Sequence, residues 1–338
     1  MAGAALYRGR DPQGPRPDRP DGPSGGGAGG RQGGEVGEGP AGGLRRVDAE
    51  WFDRWVRLFS EREGLVFPVE RRSFLSLVVE LRMRELGVER MRDYYRAIVF
   101  GGGDSDAEWV ILVDRATVHE SSFFRHDTEY GWLESHFIPE RCTGNDDACA
   151  VLSAGCAGGE ELYGIGMLLA AAGVRYALTG VDLSGTKLVR ARSGVYPVSA
   201  VARVPDGLRE RYLEVVDARR VRVVEGLRRR SCFLRVNILD IAKWPLPEAD
   251  LVVCWNVLMY VAPARRLEVV ERLAQRLAPG GVLMLSLLDM AGMEDAVARA
   301  VPGMERIRGK GLNAYRRSFV SVSEPVAPVQ PVSPGAAG

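Results

Sequence analysis

One stretch decides the fold class of this chain: Ser153-Ala154-Gly155-Cys156-Ala157-Gly158-Gly159-Glu160-Glu161. It follows a short apolar run over 150–153 that predicts a strand, and it precedes an apolar helix through Leu169. A glycine-rich turn between a strand and a helix lets a ligand approach the backbone closely. Glycines also occur in plain tight turns, so the stretch alone does not establish a binding site.

Short apolar runs and helical stretches alternate on the carboxyl side of this turn. Residues 176–182, 233–236, 251–254 and 282–285 are predicted strands, and a helix over about 264–277 is expected to end at Pro279-Gly280-Gly281. This alternation predicts an α/β fold with a doubly wound, mostly parallel sheet. The interval 195–232 interrupts it with a polar helix candidate over 208–215 and an alternating stretch over 221–224, so we expect a small inserted subdomain there.

The amino-terminal side of the turn predicts a small all-α domain, whose helical pattern is interrupted by glycines at 101–103. Helical spacing of apolar residues, including Trp51 and Trp55, predicts three helices over 47–100. Pro68 is expected to open the second helix and Gly87 to end it. The apolar set of that helix includes Phe74, Leu75, Val78 and Leu81.

Composition sets the remaining boundaries. Residues 1–43 contain 15 Gly and 6 Pro, and the tail carries a proline at every third position from Pro325 to Pro334. Such segments cannot bury enough apolar surface to offset chain entropy. The predicted organisation is a disordered segment over 1–45, a helical domain over 46–115, an α/β domain over 116–320 and a disordered tail over 321–338.

The charge balance and the cysteine content exclude several classes of protein. With 45 basic and 44 acidic residues, the net charge of +1 argues against a nucleic-acid binder. No apolar run is long enough for a membrane span. The amino-terminal residues lack an apolar h-region, so we do not expect a secretory signal. Five cysteines without a Cys-x-x-Cys pair and three histidines argue against a zinc ribbon, a metal site or a disulfide scaffold. We therefore expect a cytoplasmic monomer with reduced thiols. The regular spacing of Cys142, Cys149 and Cys156 is interpreted as chance. His126 and His136 are expected at surface or cap positions.

Acidic residues narrow the ligand of the glycine-rich turn. Asp182 closes the next predicted strand, and an acid at that place accepts hydrogen bonds from a ribose diol in nucleotide-type α/β sites. Glu160 and Glu161 follow the glycines directly and disfavour a pyrophosphate, because like charges repel. The turn also lacks the Lys-Ser/Thr ending of a nucleoside triphosphatase loop. An adenosine cofactor with a positive centre and no phosphate, S-adenosylmethionine, fits these residues best.

Six motifs over about residues 50–318 resemble, in the same order, those of the CheR-type chemotaxis protein-glutamate methyltransferases. Residues 119–125 (HESSFFR) resemble the family's Asn-Glu-Thr-x-Phe-Phe-Arg, and 153–161 resemble its Ser-Ala-x-x-x-x-Gly-Glu-Glu loop. The other matching segments are 179–184 (TGVDLS), 191–196 (ARSGVY), 237–240 (NILD) and 254–260 (CWNVLMY). The resemblance implies a class I S-adenosylmethionine methyltransferase fold and transfer of a methyl group to receptor glutamates.

The resemblance also implies roles for individual residues. His119, Ser121 and Arg125 would touch the cofactor, and Arg125 and Tyr260 would lie at the catalytic centre. Glu161 would contact the amino acid moiety of the cofactor, and Asp182 its ribose. Asn237 and Ile238 would flank the adenine. Trp255 and Asn256 stand where the family has an Arg-Asn pair that contacts the cofactor. Methyl transfer to a carboxylate needs alignment more than a strong base, and the planar fork of Arg125 suits a carboxylate.

Two departures from the family pattern leave other functions open. His119 stands where the family usually has asparagine, and Trp255 replaces an arginine, so five hydrogen-bond donors are lost. One alternative is a catalytically impaired signalling module that acts through partner contact. Another is a methyltransferase with a different protein or small-molecule substrate. Arginines of the helical domain, such as Arg71, Arg72 and Arg82, either steer an acidic receptor or form an ordinary solvated surface.

Overall fold

The computed structural model describes residues 46–117, 121–144, 147–290 and 301–319, together with residues 293, 296, 297 and 299. The two segments predicted to be disordered, 1–45 and 321–338, lie outside the described residues. Among the residues that the structure describes, every helix is too short or too polar to cross a bilayer.

Helices and strands alternate after residue 148 as the sequence predicts, and the structure adds elements over 103–116, 127–132, 304–307 and 314–317 that the sequence analysis did not predict. The helices are α1 Arg46–Glu63, α2 Val69–Leu86, α3 Met91–Phe100, α4 Gly103–Ala116, α5 Asp127–Trp132, α6 Glu160–Ala171, α7 Gly185–Ser193, α8 Asp206–Tyr212, α9 Glu225–Arg228, α10 Pro263–Ala274 and α11 Leu287–Met290. The strands are β1 Cys149–Ala154, β2 Tyr176–Asp182, β3 Val195–Pro197, β4 Leu213–Asp217, β5 Arg220–Val223, β6 Ser231–Arg235, β7 Ala249–Cys254, β8 Leu277–Leu285, β9 Met304–Ile307 and β10 Ala314–Arg317. A π-helical segment, Leu133–Cys142, continues α5.

The central sheet has seven strands in the order β6-β2-β1-β7-β8-β10-β9. The first five strands of this order are parallel to one another. β10 runs antiparallel to both of its neighbours, β8 and β9. The chain leaves β1 toward β2 on one side and later returns to β7 on the other, so the strand order reverses between β1 and β7. Ligands of open α/β sheets bind outside the carboxyl ends of the strands at such a switch point. The predicted fold class, a doubly wound class I methyltransferase sheet, is confirmed.

Each face of the sheet is covered by its own apolar core, because strand side chains alternate between the two faces. Leu251 and Val253 of β7 join one cluster, with α6 and the π-helical segment. Val252 and Cys254 join the other, with α10. β7 is therefore apolar on both faces over residues 251–254, as is typical of a central parallel strand.

Helices α1–α4 form the amino-terminal helical region of the described chain. Pro68 occupies the N-cap of α2 and Gly87 ends it with φ +68°, as the sequence predicts. A third cluster around Trp55 and Phe59 forms their core. Contrary to expectation, Phe74 and Leu81 of α2 are exposed, because only one side of this helix packs on its neighbours.

The interval 195–232 holds a three-stranded antiparallel sheet in the order β3-β5-β4. The predicted helix over 208–215 is too long: α8 ends at Tyr212, because residues 213–215 pair with β5. The predicted end of the helix at Pro279 is likewise wrong. That helix stops at Ala274, and β8 begins at Leu277. The pairing register of β8 with β7 shifts opposite residues 249–251, and this shift accommodates the Pro-Gly-Gly segment within the strand.

One cysteine interpretation is overturned. Cys142 and Cys149, whose spacing was expected to be a coincidence between reduced thiols, form a disulfide with their Cα atoms 5.5 Å apart. The physical reason is topological, since the π-helical segment returns its last residue to the start of β1. Cys156 and Cys254 are free and buried.

Candidate functional site

A cavity of about 250 Å³ opens at the carboxyl ends of β1, β2 and β7, where the strand order reverses. Its wall is built by both the helical region and the sheet. The predicted site residues that line it are Ser121, Arg125, Glu161, Asp182, Asn237, Ile238, Trp255, Asn256 and Tyr260. His119, the remaining predicted site residue, lies outside the described residues. Positions separated by up to 139 residues in sequence are thus brought together at one place.

The glycine-rich turn forms the floor of this cavity. Gly155 has φ +86°, and a Cβ atom there would lie 2.3 Å from Cγ2 of Val257. The backbone N–H groups of Gly155 and Cys156 both donate to the carbonyl oxygen of Val181, at 2.8 and 3.0 Å. Only glycine fits this left-handed, crowded position, so the turn holds the backbone of β1 close to the cavity.

Two buried acids face the cavity. Glu161 accepts a hydrogen bond from the Ser153 hydroxyl at 2.7 Å, and burial raises the pKa of its carboxyl group to about 8. Asp182 accepts backbone N–H bonds from Ala157 and Ser184, each at 2.8 Å. Burial also raises the pKa of Asp182, against the opposing effect of those two bonds.

Glu160 has a different environment from Glu161. Its carboxylate lies 3.4 Å from the Arg190 guanidinium and hydrogen-bonds the Ser121 hydroxyl, and it does not line the cavity. This contact ties the segment that carries Arg125 to the first turn of α6. Of the two adjacent acids, only Glu161 faces a ligand.

The Phe123-Phe124-Arg125 segment anchors two rings and leaves the arginine at the cavity. Phe123 packs edge-on against Tyr196 at 4.9 Å, and Phe124, with φ +52°, stacks on Tyr130 at 4.4 Å. Arg125 is exposed and lines the cavity. The two buried rings thereby fix the backbone from which the guanidinium projects.

Tyr260 lies beneath an arginine that the sequence did not assign to the site. The Arg71 guanidinium of α2 stacks over its ring, 4.7 Å from the centroid, and both residues line the cavity. The segment that carries Tyr260 is shaped by Asp289, which is buried and accepts the N–H groups of Val257 and Met259 at 3.0 and 2.9 Å. Neither residue belongs to a motif that sequence reasoning could have singled out.

Trp255 forms part of the cavity wall. Its indole is buried and packs against the rings of His126 and Tyr130, with centroids 4.8 and 5.7 Å away. The cavity persists beside it. His126 occupies the N-cap position of α5, one of the two alternatives that the sequence analysis expected, and its ring also lines the cavity and hydrogen-bonds the Asn256 side chain. Burial and the nearby Arg125 lower the pKa of His126. The position of His126 directly after Arg125 was the one sequence feature that could have indicated its place in the cavity lining.

Asn237 connects the cavity to the helical region. Its amide nitrogen donates to the backbone oxygen and to Oε2 of Glu63, at 3.2 and 3.0 Å, and its Oδ1 accepts the N–H of Leu239. Ile238, which follows it, is buried and lines the same wall. Glu63 itself lines the cavity and was not anticipated.

Comparison with known proteins identifies the family. A profile described as "CheR methyltransferase, SAM binding domain" matches residues 119–296, which is more than half of the chain. The chain belongs to the CheR methyltransferase family. The match spans the glycine-rich turn and all the sheet-borne residues of the cavity.

Three curated relatives agree with this assignment. The chain is 28% identical over 243 residues to chemotaxis protein methyltransferase 1 of Pseudomonas aeruginosa, covering 68% of this chain and 86% of the relative. It is 30% identical over 254 residues to the probable biofilm formation methyltransferase WspC of the same organism, covering 72% and 58% of the two chains. It is 26% identical over 200 residues to the chemotaxis protein methyltransferase of Borreliella burgdorferi, covering 55% and 70%.

The cofactor of this CheR-family chain is S-adenosylmethionine, and the residues of the cavity fit it. Two buried carboxyl groups with raised pKa values face the same space, and such groups are ionised most easily beside a positive ligand. Gly155 lines the cavity at the end of β1 without a side chain of its own. An adenosine compound that carries an ammonium group and a sulfonium supplies positive charge beside these two carboxyl groups.

Proposed function

We propose that this CheR-family chain transfers the methyl group of S-adenosylmethionine to glutamate side-chain carboxylates of a chemoreceptor or a related signalling protein. The observation that carries the proposal is the lining of one cavity by Glu161 and Asp182 together with Arg125 and Tyr260. Two relatives named as chemotaxis protein methyltransferases support the choice of receptor. The enzyme acts in the cytoplasm as a monomer.

The buried acids and the segment around Asn237 hold the cofactor in this proposal. Glu161 accepts hydrogen bonds from the ammonium group and Asp182 from the ribose, while Asn237 and Ile238 flank the adenine. Further contacts come from His119, Ser121, Arg125, Trp255 and Asn256. The Ser153 hydroxyl supports this role, because its bond to Glu161 favours the ionised carboxylate.

Arg125 and Tyr260 act on the substrate. When bound, S-adenosylmethionine would supply an electrophilic methyl group. A bond from a glutamate oxygen to the methyl carbon would form as the carbon–sulfur bond breaks, and the products would be a neutral ester and a neutral thioether. Arg125 donates two parallel hydrogen bonds that align the ionised carboxylate. Tyr260, held under Arg71, orients the same group with its hydroxyl. No residue has to act as a strong base, because a glutamate is already ionised at neutral pH.

The position of Trp255 supports catalysis over an impaired module. An indole that filled the cavity would exclude adenosine, whereas this one packs sideways on His126 and Tyr130. The lost arginine is then replaced by an apolar wall. The presence of Arg71 at the same cavity keeps a second guanidinium within it.

Arg125→Ala tests the proposed reaction. We expect it to lower kcat/KM for labelled methyl transfer to a chemoreceptor fragment by about 100-fold, because a bidentate charged contact is removed. Arg125→Lys, which keeps the charge but not the fork, should recover only part of the activity. Arg203→Ala is the matched control, since Arg203 is an exposed arginine paired with Asp127 outside the cavity lining. Unchanged turnover in Arg125→Ala would contradict the proposal.

A further inference from the structure

Glu63 is the last residue of α1, and it lines the cavity. The two oxygens of its carboxylate have different partners. Oε1 accepts the indole N–H of Trp109 at 2.7 Å, and Oε2 accepts an N–H of the Asn237 side-chain amide at 3.0 Å. This carboxylate therefore connects a core residue of the helical region to a proposed cofactor contact.

Trp109 gives the Glu63 carboxylate a fixed orientation. The Trp109 side chain is buried and packs against Phe59, with ring centroids 4.7 Å apart. On the same ring lies the Arg62 guanidinium, 5.1 Å from the centroid. Because this packing holds the indole N–H in place, Oε1 stays on Trp109 and Oε2 faces Asn237.

The contacts of Asn237 fix the orientation of its side-chain amide. Nδ2 donates to two acceptors of Glu63, the carboxylate and the backbone oxygen, so both of its hydrogens are used. Oδ1 accepts the N–H of Leu239 at 3.0 Å, which uses one of its two lone pairs. The opposite orientation would place the amide oxygen against the carboxylate and the amide nitrogen against the Leu239 N–H.

The capacity that the Asn237 amide keeps for a ligand, among its bonds to described residues, is the second lone pair of Oδ1. Asn237 and Asp182 follow the neighbouring parallel strands β6 and β2, and both line the cavity. Buried apolar side chains of Val236 and Ile238 line it on either side of Asn237. A flat purine suits such a wall, and its 6-amino group is a donor that matches the free acceptor.

We propose that Glu63 is a positioning residue that fixes the Asn237 amide with its oxygen available to the cofactor, so that the site selects the 6-amino group of adenine. This proposal rests on the proposed function, which puts the adenine of S-adenosylmethionine beside Asn237, and adds the residue that sets selectivity for the base. Position 63 needs two acceptor oxygens, because Trp109 and Asn237 both donate to it.

Titration calorimetry with the full chain and two ligands tests this role. The ligands are S-adenosylhomocysteine and its analogue with hydrogen in place of the 6-amino group, and the ratio of their Kd values measures the selectivity. Glu63→Gln keeps the shape of the side chain and replaces one acceptor by a donor. A double variant adds Asn237→Asp, which exchanges donor and acceptor between the two positions. Glu61→Gln is the matched control, since Glu61 is an exposed acid of α1 outside the cavity lining.

The wild type should bind S-adenosylhomocysteine about tenfold more tightly than the analogue, which leaves the Asn237 oxygen without a donor. Glu63→Gln should reduce this ratio to about twofold or less, because the amide then turns its nitrogen to the cofactor. The double variant should restore the ratio, since the introduced carboxylate accepts both the glutamine N–H and the 6-amino group. Glu61→Gln should keep the wild-type ratio. Each ratio compares two ligands of one protein, so a general loss of stability does not change it.

Four results overturn the proposal. They are a wild-type ratio near one, an unchanged ratio in Glu63→Gln, a reduced ratio in Glu61→Gln, and a double variant that does not recover selectivity. If Glu63→Gln binds neither ligand, the double variant decides. The proposed function fails separately: a wild type that is selective for the amino group but does not methylate a chemoreceptor fragment contradicts the reaction and leaves the role of Glu63 standing. A wild type that binds neither ligand contradicts both.

Discussion

Glu161 is the residue whose protonation the cofactor would change. Burial raises its folded-state pKa to about 8, above the ordinary value of 4.5. Because the folded protein without ligand binds this proton more tightly than the unfolded chain, the contribution to stability is fully present below pH 4.5 and is lost as the pH rises through about 8. An ammonium group beside the carboxylate lowers the pKa and so favours proton release on binding.

We therefore predict that S-adenosylhomocysteine releases about one proton from Glu161 at pH 7, since most of this carboxyl group is protonated before binding. Titration calorimetry in phosphate and in Tris, whose ionisation enthalpies differ, measures the release. Glu161→Gln should abolish the buffer dependence and weaken binding by about tenfold or more. At pH 9 the wild type should release none. A buffer-independent enthalpy for the wild type at pH 7 would remove Glu161 from the ammonium site.

At the scale of single residues, sequence reasoning reached the residues that belong to motifs and missed those that do not. Glu161, Asp182 and Arg125 are recognisable because each has a fixed place beside a glycine-rich turn, at a strand end or after two phenylalanines. Arg71 and His126 reach the cavity only through the packing of helices and rings. No local pattern encodes which of many arginines in α2 faces inward.

At the scale of elements, the junction between β1 and α6 positions the site. Gly155 combines a left-handed backbone with a close approach to Val257. Gly173, after α6, has a similar φ of +71° and nothing within 4 Å of an added Cβ atom. Alanine at position 173 would therefore add backbone strain alone, whereas alanine at position 155 would add both backbone strain and a steric clash.

Gly173→Ala should lower the free energy of unfolding by about 1–2 kcal/mol and leave the affinity for S-adenosylhomocysteine unchanged, because only left-handed strain is added. Gly155→Ala should lower the free energy of unfolding by about 1–3 kcal/mol more than Gly173→Ala does, because the new methyl group meets Val257. It should also lower the affinity for S-adenosylhomocysteine. Adding Val257→Ala to Gly155→Ala should recover part of the loss. Urea unfolding and calorimetry measure both quantities, and equal effects of the two glycine variants would contradict the crowding.

Elements with strong periodicity were predictable, and those decided by neighbours were not. The 176–182 segment became β2 with the same limits, since a short, mostly apolar segment flanked by turn residues favours a buried strand. The 208–215 pattern was read as one helix, yet pairing with β5 converts its last three residues into strand. Tertiary hydrogen bonds outweigh local propensity where the two conflict.

At the scale of the whole molecule, the cavity depends on contacts between distant parts of the chain. Glu63 at the end of α1 accepts hydrogen bonds from Trp109 of α4 and from Asn237 beside the sheet. The N–H of Val66 donates to the carbonyl oxygen of Tyr260 at 2.9 Å. These bonds fasten the helical region to the segments that carry the proposed adenine and substrate contacts. Sequence patterns could give the two regions and their order, but not the contacts that join them.

Alkaline hydrolysis of the methylated product tests the central claim most directly. The full-length enzyme is incubated with S-adenosylmethionine labelled in its methyl group and with a chemoreceptor fragment, and the labelled fragment is then treated with alkali. Transfer to a glutamate carboxylate predicts that the label is released as volatile methanol, since esters hydrolyse under these conditions, and that it maps to glutamate residues beforehand. Label that resists alkali, or no label on the fragment while S-adenosylhomocysteine binds the cavity, would contradict the account.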